Sequence, residues 1–200
     1  MSNINDYSDP DLFLNRELSQ LEFNFRVLAQ AQDKSIPEMT TEVWDRTFAI
    51  NTRGPMLMIK HVAPHMISGG GGSIINTGSG SAILGDVFHP AYSTSKGALH
   101  TLTRNVAAQL GRHNIRCNAV LPGLVLSKGA REIMTAGEID FIQRHVMLPR
   151  QSKPEDVAGP VLFLASDAGS FVTAQVFSAD GGIVHHAPYY ADVMALSENA

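Results

Sequence analysis

Ser73-Ile74-Ile75-Asn76-Thr77 is a short, mostly apolar run lying between turn signals, with Gly69 to Gly72 before it and a loop through Gly85 and Pro90 after it. A run of this length between such signals reads as a buried strand. Upstream, a helix begins near Thr40, whose hydroxyl suits an N-cap, and Glu42 in the first turn complements the helix dipole. Trp44, Phe48, Asn51, Met58, Val62 and Met66 fall on one stripe, and Gly69 to Gly72 end that helix. Downstream, residues 91 to 110 form the clearest helix. Ala98, Leu102, Val106 and Leu110 share one side, and Gly111 stands as C-cap. Ile115 to Leu121 is a second strand, stopped by Pro122-Gly123. Residues 124 to 150 show no clear period. Ser152-Lys153-Pro154-Glu155 reads as a capping box opening a helix to about Ala165. Gln175 to Ala179 is a last strand, closed by Asp180-Gly181-Gly182. Alternating strands and helices predict an α/β fold built on a parallel sheet.

The chain has 200 residues, 44% hydrophobic and 17% charged, with a formal net charge of -4. This is the composition of an ordinary globular domain. With no Lys/Arg cluster, neither nucleic acid nor an anionic membrane surface is the expected partner. No stretch is long and apolar enough to span a bilayer, and no apolar leader opens the chain. Cys117 is the only cysteine. It cannot form an internal disulfide, so a reducing, cytoplasmic setting is the default, and it reads as a small core residue in its strand.

Residues 1–35 form a segment of their own, and residues 36–200 a second unit. In the first, Leu18, Leu21, Phe25 and Leu28 repeat at helical spacing behind Asn15 as N-cap, giving an amphipathic helix over about 15–30 that must dock on something.

The chemistry concentrates around Tyr92-Ser93-Thr94-Ser95-Lys96. On a helix, positions i and i+4 share a face, so the Lys96 ammonium lies near the Tyr92 phenol. A free phenol titrates near ~10, and a nearby cation favours the phenolate. The pair is therefore a candidate acid/base couple, although most Tyr/Lys pairs at this spacing are surface neighbours. Ser79 follows the first strand, at the end where open α/β sheets place ligands. Asn51 lies on the apolar stripe of its helix, where a polar residue needs a partner or a function. Pro55, four residues on, has no N–H, so the Asn51 carbonyl loses its usual partner and a kink is expected. His61 and His65 are i,i+4 but lack the accompanying glutamate, and surface histidines are the better reading. His185 and His186 are read as exposed loop, and no metal site is expected.

Taken together these residues resemble the short-chain dehydrogenases/reductases. Asn51 in Ala-Ile-Asn-Thr-Arg-Gly-Pro, Ser79 in Gly-Ser-Ile-Ile-Asn-Thr-Gly-Ser, and Tyr-x-x-x-Lys at 92–96 stand in that family's order and spacing. Asn114-Ile-Arg-Cys-Asn-Ala-Val-Leu-Pro-Gly, Lys153-Pro-Glu-Asp-Val-Ala, Phe163-Leu-Ala-Ser-Asp and the final Asp180-Gly-Gly match as well. The resemblance implies the later part of a Rossmann-like sheet. It implies Tyr92 as general acid/base and Ser79 as hydrogen-bond partner of the substrate oxygen. Lys96 would hold the nicotinamide ribose and lower the Tyr92 pKa, and the Asn51 carbonyl would hold a relay water. Pro122, Gly123, Val125 and Ser127 would line the nicotinamide end of NAD or NADP, with Ser127 in place of the more usual threonine. The substrate would be a small-molecule alcohol or carbonyl compound. Two family helices equivalent to 42–67 and 91–110 pair across a subunit interface, so a homo-oligomer is expected.

The departures carry equal weight. The family opens with a glycine-rich turn of the type Thr-Gly-x-x-x-Gly-x-Gly, which offers N–H groups to the pyrophosphate. That turn, the selector for the adenosine ribose and the Asn-Asn-Ala-Gly strand do not occur in this sequence. Those early units need on the order of 100 residues at about 30 per βαβ unit. Ala174 stands where the family prefers glycine. Residues 12–33 instead resemble the opening helix of bacterial polyphosphate kinases, with Gln20 where that family usually has Trp. The sequence therefore leads us to expect a truncated NAD(P)-dependent oxidoreductase, joined to a piece of different origin and without turnover. The alternative is a non-catalytic relic or interaction protein from a gene fusion.

Overall fold

The computed structural model describes residue 33 and residues 35–126 and 128–198. The expected N-terminal helix and Ser127 lie outside the described residues. Three parallel strands form the sheet: β1 (Gly72–Thr77), β2 (Ile115–Pro122) and β3 (Val176–Ala179), in that spatial order. Gly72 pairs with Ile115 and Thr77 with Val120; Ala119 pairs with Val176 and Pro122 with Ala179. All three strand ends therefore point the same way. β2 is central and nearly all buried, as expected of a strand covered on both faces. This confirms the α/β architecture and its three expected strands.

The helices are α1 (Thr41–Phe48), α2 (Gly54–Ser68), α3 (Pro90–Leu110), α4 (Lys128–Ile133), α5 (Ala136–Gln143), α6 (Pro154–Ala165) and α7 (Tyr190–Glu198). α3 covers one sheet face. There Val106, Ala107 and Cys117 form a buried cluster with Ile59, Ile74, Leu102, Leu110 and Ala174 against it. α6 covers the other face. Its Leu164 is fully buried, and its Leu164 carbonyl accepts from Ser73 Oγ at 2.8 Å and Arg116 Nη1 at 2.6 Å. Burying one such leucine is worth about 1.5–3 kcal/mol. Cys117 is the core residue expected of it, and burial pushes its thiol up to about 12.

Thr40 caps α1 as read from the sequence, its Oγ1 accepting from Val43 N at 3.4 Å. The long helix that follows is not continuous. Ala49–Arg53 is a π-helical turn, in which Gly54 N donates to Ala49 O. Pro55 supplies the reason: it has no N–H to offer the previous turn, and a wider turn takes up the mismatch. The extra residue rotates everything downstream. Asn51 and Ala63 are buried, while Met58 and Val62, expected on the inner stripe, are 63% and 43% exposed.

Gly111 is the C-cap of α3, as expected, its N–H donating to the Ala107 carbonyl; it stays right-handed and opens a 3-10 turn, and the left-handed residue is Asn114 (φ 59). Two further expectations are corrected. The box at the start of α6 is made by Lys153 N donating to Asp156 Oδ2 at 2.9 Å, whereas Ser152 Oγ donates to the Leu124 carbonyl. Residues 124–150, unreadable from periodicity, hold α4 and α5, and α5 starts with a Thr135/Glu138 capping box. Ala174 has φ 63, the left-handed region in which glycine is at ease and alanine is strained. Its side chain packs on the Val106/Cys117 cluster.

Candidate active site

The site is built where β1 ends and α3 begins. β1 delivers Ser79 two residues beyond its last paired position. The parallel register continues as Gly78 N donates to Val120 O at 2.7 Å. Pro90 opens α3 at a position where a missing N–H costs nothing. The orphan N–H of Tyr92 in the first turn is taken by Asp33 Oδ2 at 3.0 Å.

α3 then presents Tyr92, Lys96, His100 and Thr103 toward β1, at helical spacing. Lys96 Nζ donates to the Thr77 carbonyl at 2.8 Å and lies 5.7 Å from the centre of the Tyr92 ring. His100 Nε2 accepts from Ser79 N at 3.4 Å. Thr103 Oγ1 accepts from Asn76 Nδ2 at 2.9 Å and donates to Leu99 O at 2.9 Å. Ser79 Oγ accepts from Ser81 N at 3.3 Å.

Asn51 sits in the π turn, 4% exposed, and its Nδ2 donates to Ser95 Oγ at 3.0 Å. Ser95 Oγ in turn donates to the Tyr92 carbonyl at 2.7 Å, and Thr52 Oγ1 to the Ser95 carbonyl at 2.9 Å. The Asn51 side chain therefore clamps the first turns of α3. The structure thus brings Asn51, Ser79, Tyr92 and Lys96 together at one sheet edge. Pro122 ends β2 on the same edge. Gly123 N donates to the Ala179 carbonyl at 3.3 Å, and Val125 bridges to Ser152.

The electrostatics correct one expectation. The Tyr92 hydroxyl is held above the ordinary tyrosine value, chiefly by burial and further by the Asp86 carboxylate, against a hydrogen bond from Ser79 that pulls it down. Burial lowers Lys96 to about 8. The ammonium, committed to the Thr77 carbonyl, does not lower the Tyr92 pKa; desolvation dominates at both groups. Tyr92 is therefore a phenol at neutral pH, the protonation state of a general acid.

Sequence reasoning missed four buried polar residues here: Asn76, Ser95, His100 and Thr103. Each falls within a stretch read as strand or helix, and only the partner across the interface shows what it does. His61 and His65 are exposed, as expected. His185 is exposed too, but His186 is not simple loop. Its ring stacks on Tyr190 with centroids 4.6 Å apart, and its Nε2 faces His145 O at 2.7 Å. Among the described residues, no group of three metal-ligating side chains is gathered and no helix is long and apolar enough to cross a membrane.

Comparison with known proteins agrees with this geometry. The family described as enoyl-(acyl carrier protein) reductase matches residues 13–184. A probable short-chain type dehydrogenase/reductase of Bradyrhizobium diazoefficiens is 42% identical over 161 residues, which cover 80% of this chain and 57% of that protein. The solved short-chain type dehydrogenase/reductase from Mycobacterium ulcerans superposes with a TM-score of 0.71 at 34% identity, covering 81% of this chain and 60% of that one. A gluconate 5-dehydrogenase from Burkholderia cenocepacia J2315, solved in complex with NADP and tartrate, gives a TM-score of 0.73 at 28% identity over 77% of this chain and 61% of that one. The chain thus spans about three fifths of the length of the relatives it matches. Its matched residues, its three-stranded parallel sheet and its Tyr-x-x-x-Lys helix agree: the chain belongs to the short-chain dehydrogenase/reductase family.

Proposed function

We propose that this chain carries the acid/base site of an NAD(P)-dependent oxidoreductase that interconverts a small-molecule alcohol and a carbonyl compound. The observation that carries this reading is the buried Lys96 ammonium, 5.7 Å from the Tyr92 ring and bonded to the Thr77 carbonyl two residues before Ser79, at the C-terminal end of β1. In reduction, Tyr92 gives its phenolic proton to the carbonyl oxygen, and Ser79 donates a hydrogen bond to that same oxygen. In oxidation, the tyrosinate takes the hydroxyl proton back. Burial holds Tyr92 in the phenol form that reduction needs at neutral pH, whereas oxidation needs the tyrosinate. The Asn51 amide holds Ser95, and through it the turn that carries Tyr92.

The residues present fit the nicotinamide end of a dinucleotide. An ammonium has three protons, and Thr77 uses one, so Lys96 keeps donors for a ribose hydroxyl. Pro122, Gly123 and Val125 stand on the same sheet edge, and Ser127 follows them in sequence. A nicotinamide held there would supply the hydride in reduction and accept it in oxidation. No residue among those described forms a pyrophosphate cradle, and the glycine-rich turn does not occur in the sequence. That observation favours a second reading, in which this chain by itself binds the cofactor too weakly to turn over and acts as a non-catalytic relic or interaction module. We also propose that residues 1–35 are a unit of different origin, for which the polyphosphate kinase resemblance speaks and against which the family match, beginning at residue 13, counts.

A homo-oligomer remains part of the proposal. It is supported by the outer face of α2, where Leu57, Met58 and Val62 are exposed. A single monomeric peak near 21.6 kDa by light scattering would count against it.

A thermal-shift titration with NAD(H) and NADP(H) tests the cofactor, because a ligand of the native state must raise its melting temperature. With the phosphate turn absent, saturable binding below about 1 mM, near -4 kcal/mol, is not expected. Micromolar binding would overturn that expectation and favour the enzyme reading of this chain.

A further inference from the structure

We propose that His100, in its neutral form, is a positioning residue for Ser79: its Nε2 lone pair anchors the Ser79 amide and so sets where the Ser79 hydroxyl stands. The imidazole is 5% exposed, one helical turn beyond Lys96 on the face of α3 that meets β1. Its Nε2 is 3.4 Å from the Ser79 nitrogen. An amide N–H only donates, so Nε2 must accept, and the ring proton of neutral His100 belongs on Nδ1. The packing around this contact is close. A Cβ on Gly78 would lie 2.4 Å from His100 Nε2, so glycine is required at 78 to let the ring reach the next amide. The ring is thus built into the turn between β1 and Ser79.

Protonation would end the arrangement. An imidazolium carries an N–H on Nε2 and would face the Ser79 N–H donor to donor. The surroundings oppose that state. Burial, then Arg104, then Lys96 hold His100 below the ordinary histidine value. Both cations are on α3 itself. From β1, Asn76 and Ser79 meet this face of α3, and neither is charged at neutral pH. No carboxylate acts on the ring to stabilise its cation. The turn holding Ser79 is therefore intact at neutral pH and released in acid, below the ordinary histidine range.

The first test needs no turnover. In uniformly 15N-labelled protein, the His100 ring nitrogens should show the Nδ1–H tautomer at pH 8, and the Ser79 amide resonance should move on acidification with the same midpoint as that ring. In His100→Gln, whose side-chain oxygen also accepts, the Ser79 amide should not respond to acid. In Gly78→Ala the ring is displaced, and the Ser79 amide should lose its dependence on the His100 titration. A ring protonated on Nε2 at pH 8, or a Ser79 amide indifferent to the His100 titration in the unmodified chain, overturns the proposal. The second test rests on the oxidoreductase reading. Carbonyl reduction should fall roughly tenfold in His100→Ala, the scale of one lost buried hydrogen bond, and be restored in His100→Gln together with loss of the acid limb. An acid limb unchanged in His100→Gln also overturns it. Absence of turnover in the unmodified chain sinks the oxidoreductase reading alone, because the resonance titration still decides the role of His100.

Discussion

The interface between α3 and β1 and the stretch that follows β2 use polar side chains in opposite ways. Along α3, Lys96, His100 and Thr103 are each buried and each reaches one group of the segment 76–79: the Thr77 carbonyl, the Ser79 amide, the Asn76 side chain. Beyond β2, the polar pairs lie in water. Arg144 and Asp140 are 59% and 76% exposed at 3.7 Å, and Arg150 meets Asp156 on the surface at 2.7 Å. A buried polar group left without its partner costs about 1–3 kcal/mol, whereas exposed ion pairs are worth about 0–1 kcal/mol. The first region therefore fixes a geometry and the second only decorates one. The surface pairs between α5 and α6 can therefore change with little effect, whereas the α3–β1 contacts, like the buried Leu164 of α6, cannot.

Four substitutions would break or sharpen that contrast. The largest effect is expected at Tyr92→Phe, which removes the only proposed proton donor. Any carbonyl reduction should fall about 10²–10⁴-fold. Activity surviving in this variant, measured at saturating cofactor, would mean that the acid lies elsewhere.

Lys96→Met comes next. Burial lowers the folded-state value from 10.5 to about 8. Between those pH values the unfolded chain binds more protons than the folded one, so stability rises with pH there and is lost as pH falls through about 8. At ~1.4 kcal/mol per unit, the full span is roughly 3 kcal/mol, partly offset by the hydrogen bond to Thr77. Denaturant midpoints followed from pH 7 to 11 should lose this alkaline rise in Lys96→Met; an unchanged rise would assign it to another group.

Thr103→Val tests the buried network without touching the chemistry. It strips Asn76 Nδ2 of its Thr103 partner and should cost about 1–3 kcal/mol in urea unfolding. A neutral result would show that the contact to Cys117 Sγ at 3.8 Å satisfies Asn76 alone. The smallest effect belongs to Arg150→Ala. Its partner Asp156 is held at about 2 by that guanidinium and by Lys153 N, yet the pair stands at the surface, its side chains 53% and 24% exposed. Its melting temperature should match that of the unmodified chain, and a clear drop would remove the distinction drawn between the two regions.

Much of this was legible in the amino-acid order. Strands ending in Thr77, Pro122 and Ala179 are short apolar runs bracketed by Gly and Pro. α3 shows itself through Leu102, Val106 and Leu110, and Tyr92 and Lys96 share its face by spacing alone. The inner stripe of the preceding helix was misread because one π turn at Ala49–Arg53 shifts every later residue, and periodicity assumes a constant pitch. The reading of 124–150 failed because helices of six and eight residues are too short to establish a period.

Sequence alone determined the element order, the parallel sheet and the identity of the four candidate site residues, because each depends on local pattern or on ordered motifs. Only the tertiary structure showed that burial raises Tyr92 and lowers Lys96, and which partners His100 and Asn51 hold. Those depend on which groups lose water and which partner lies across an interface, and neither burial nor a contact between residues 44 positions apart is written in local order.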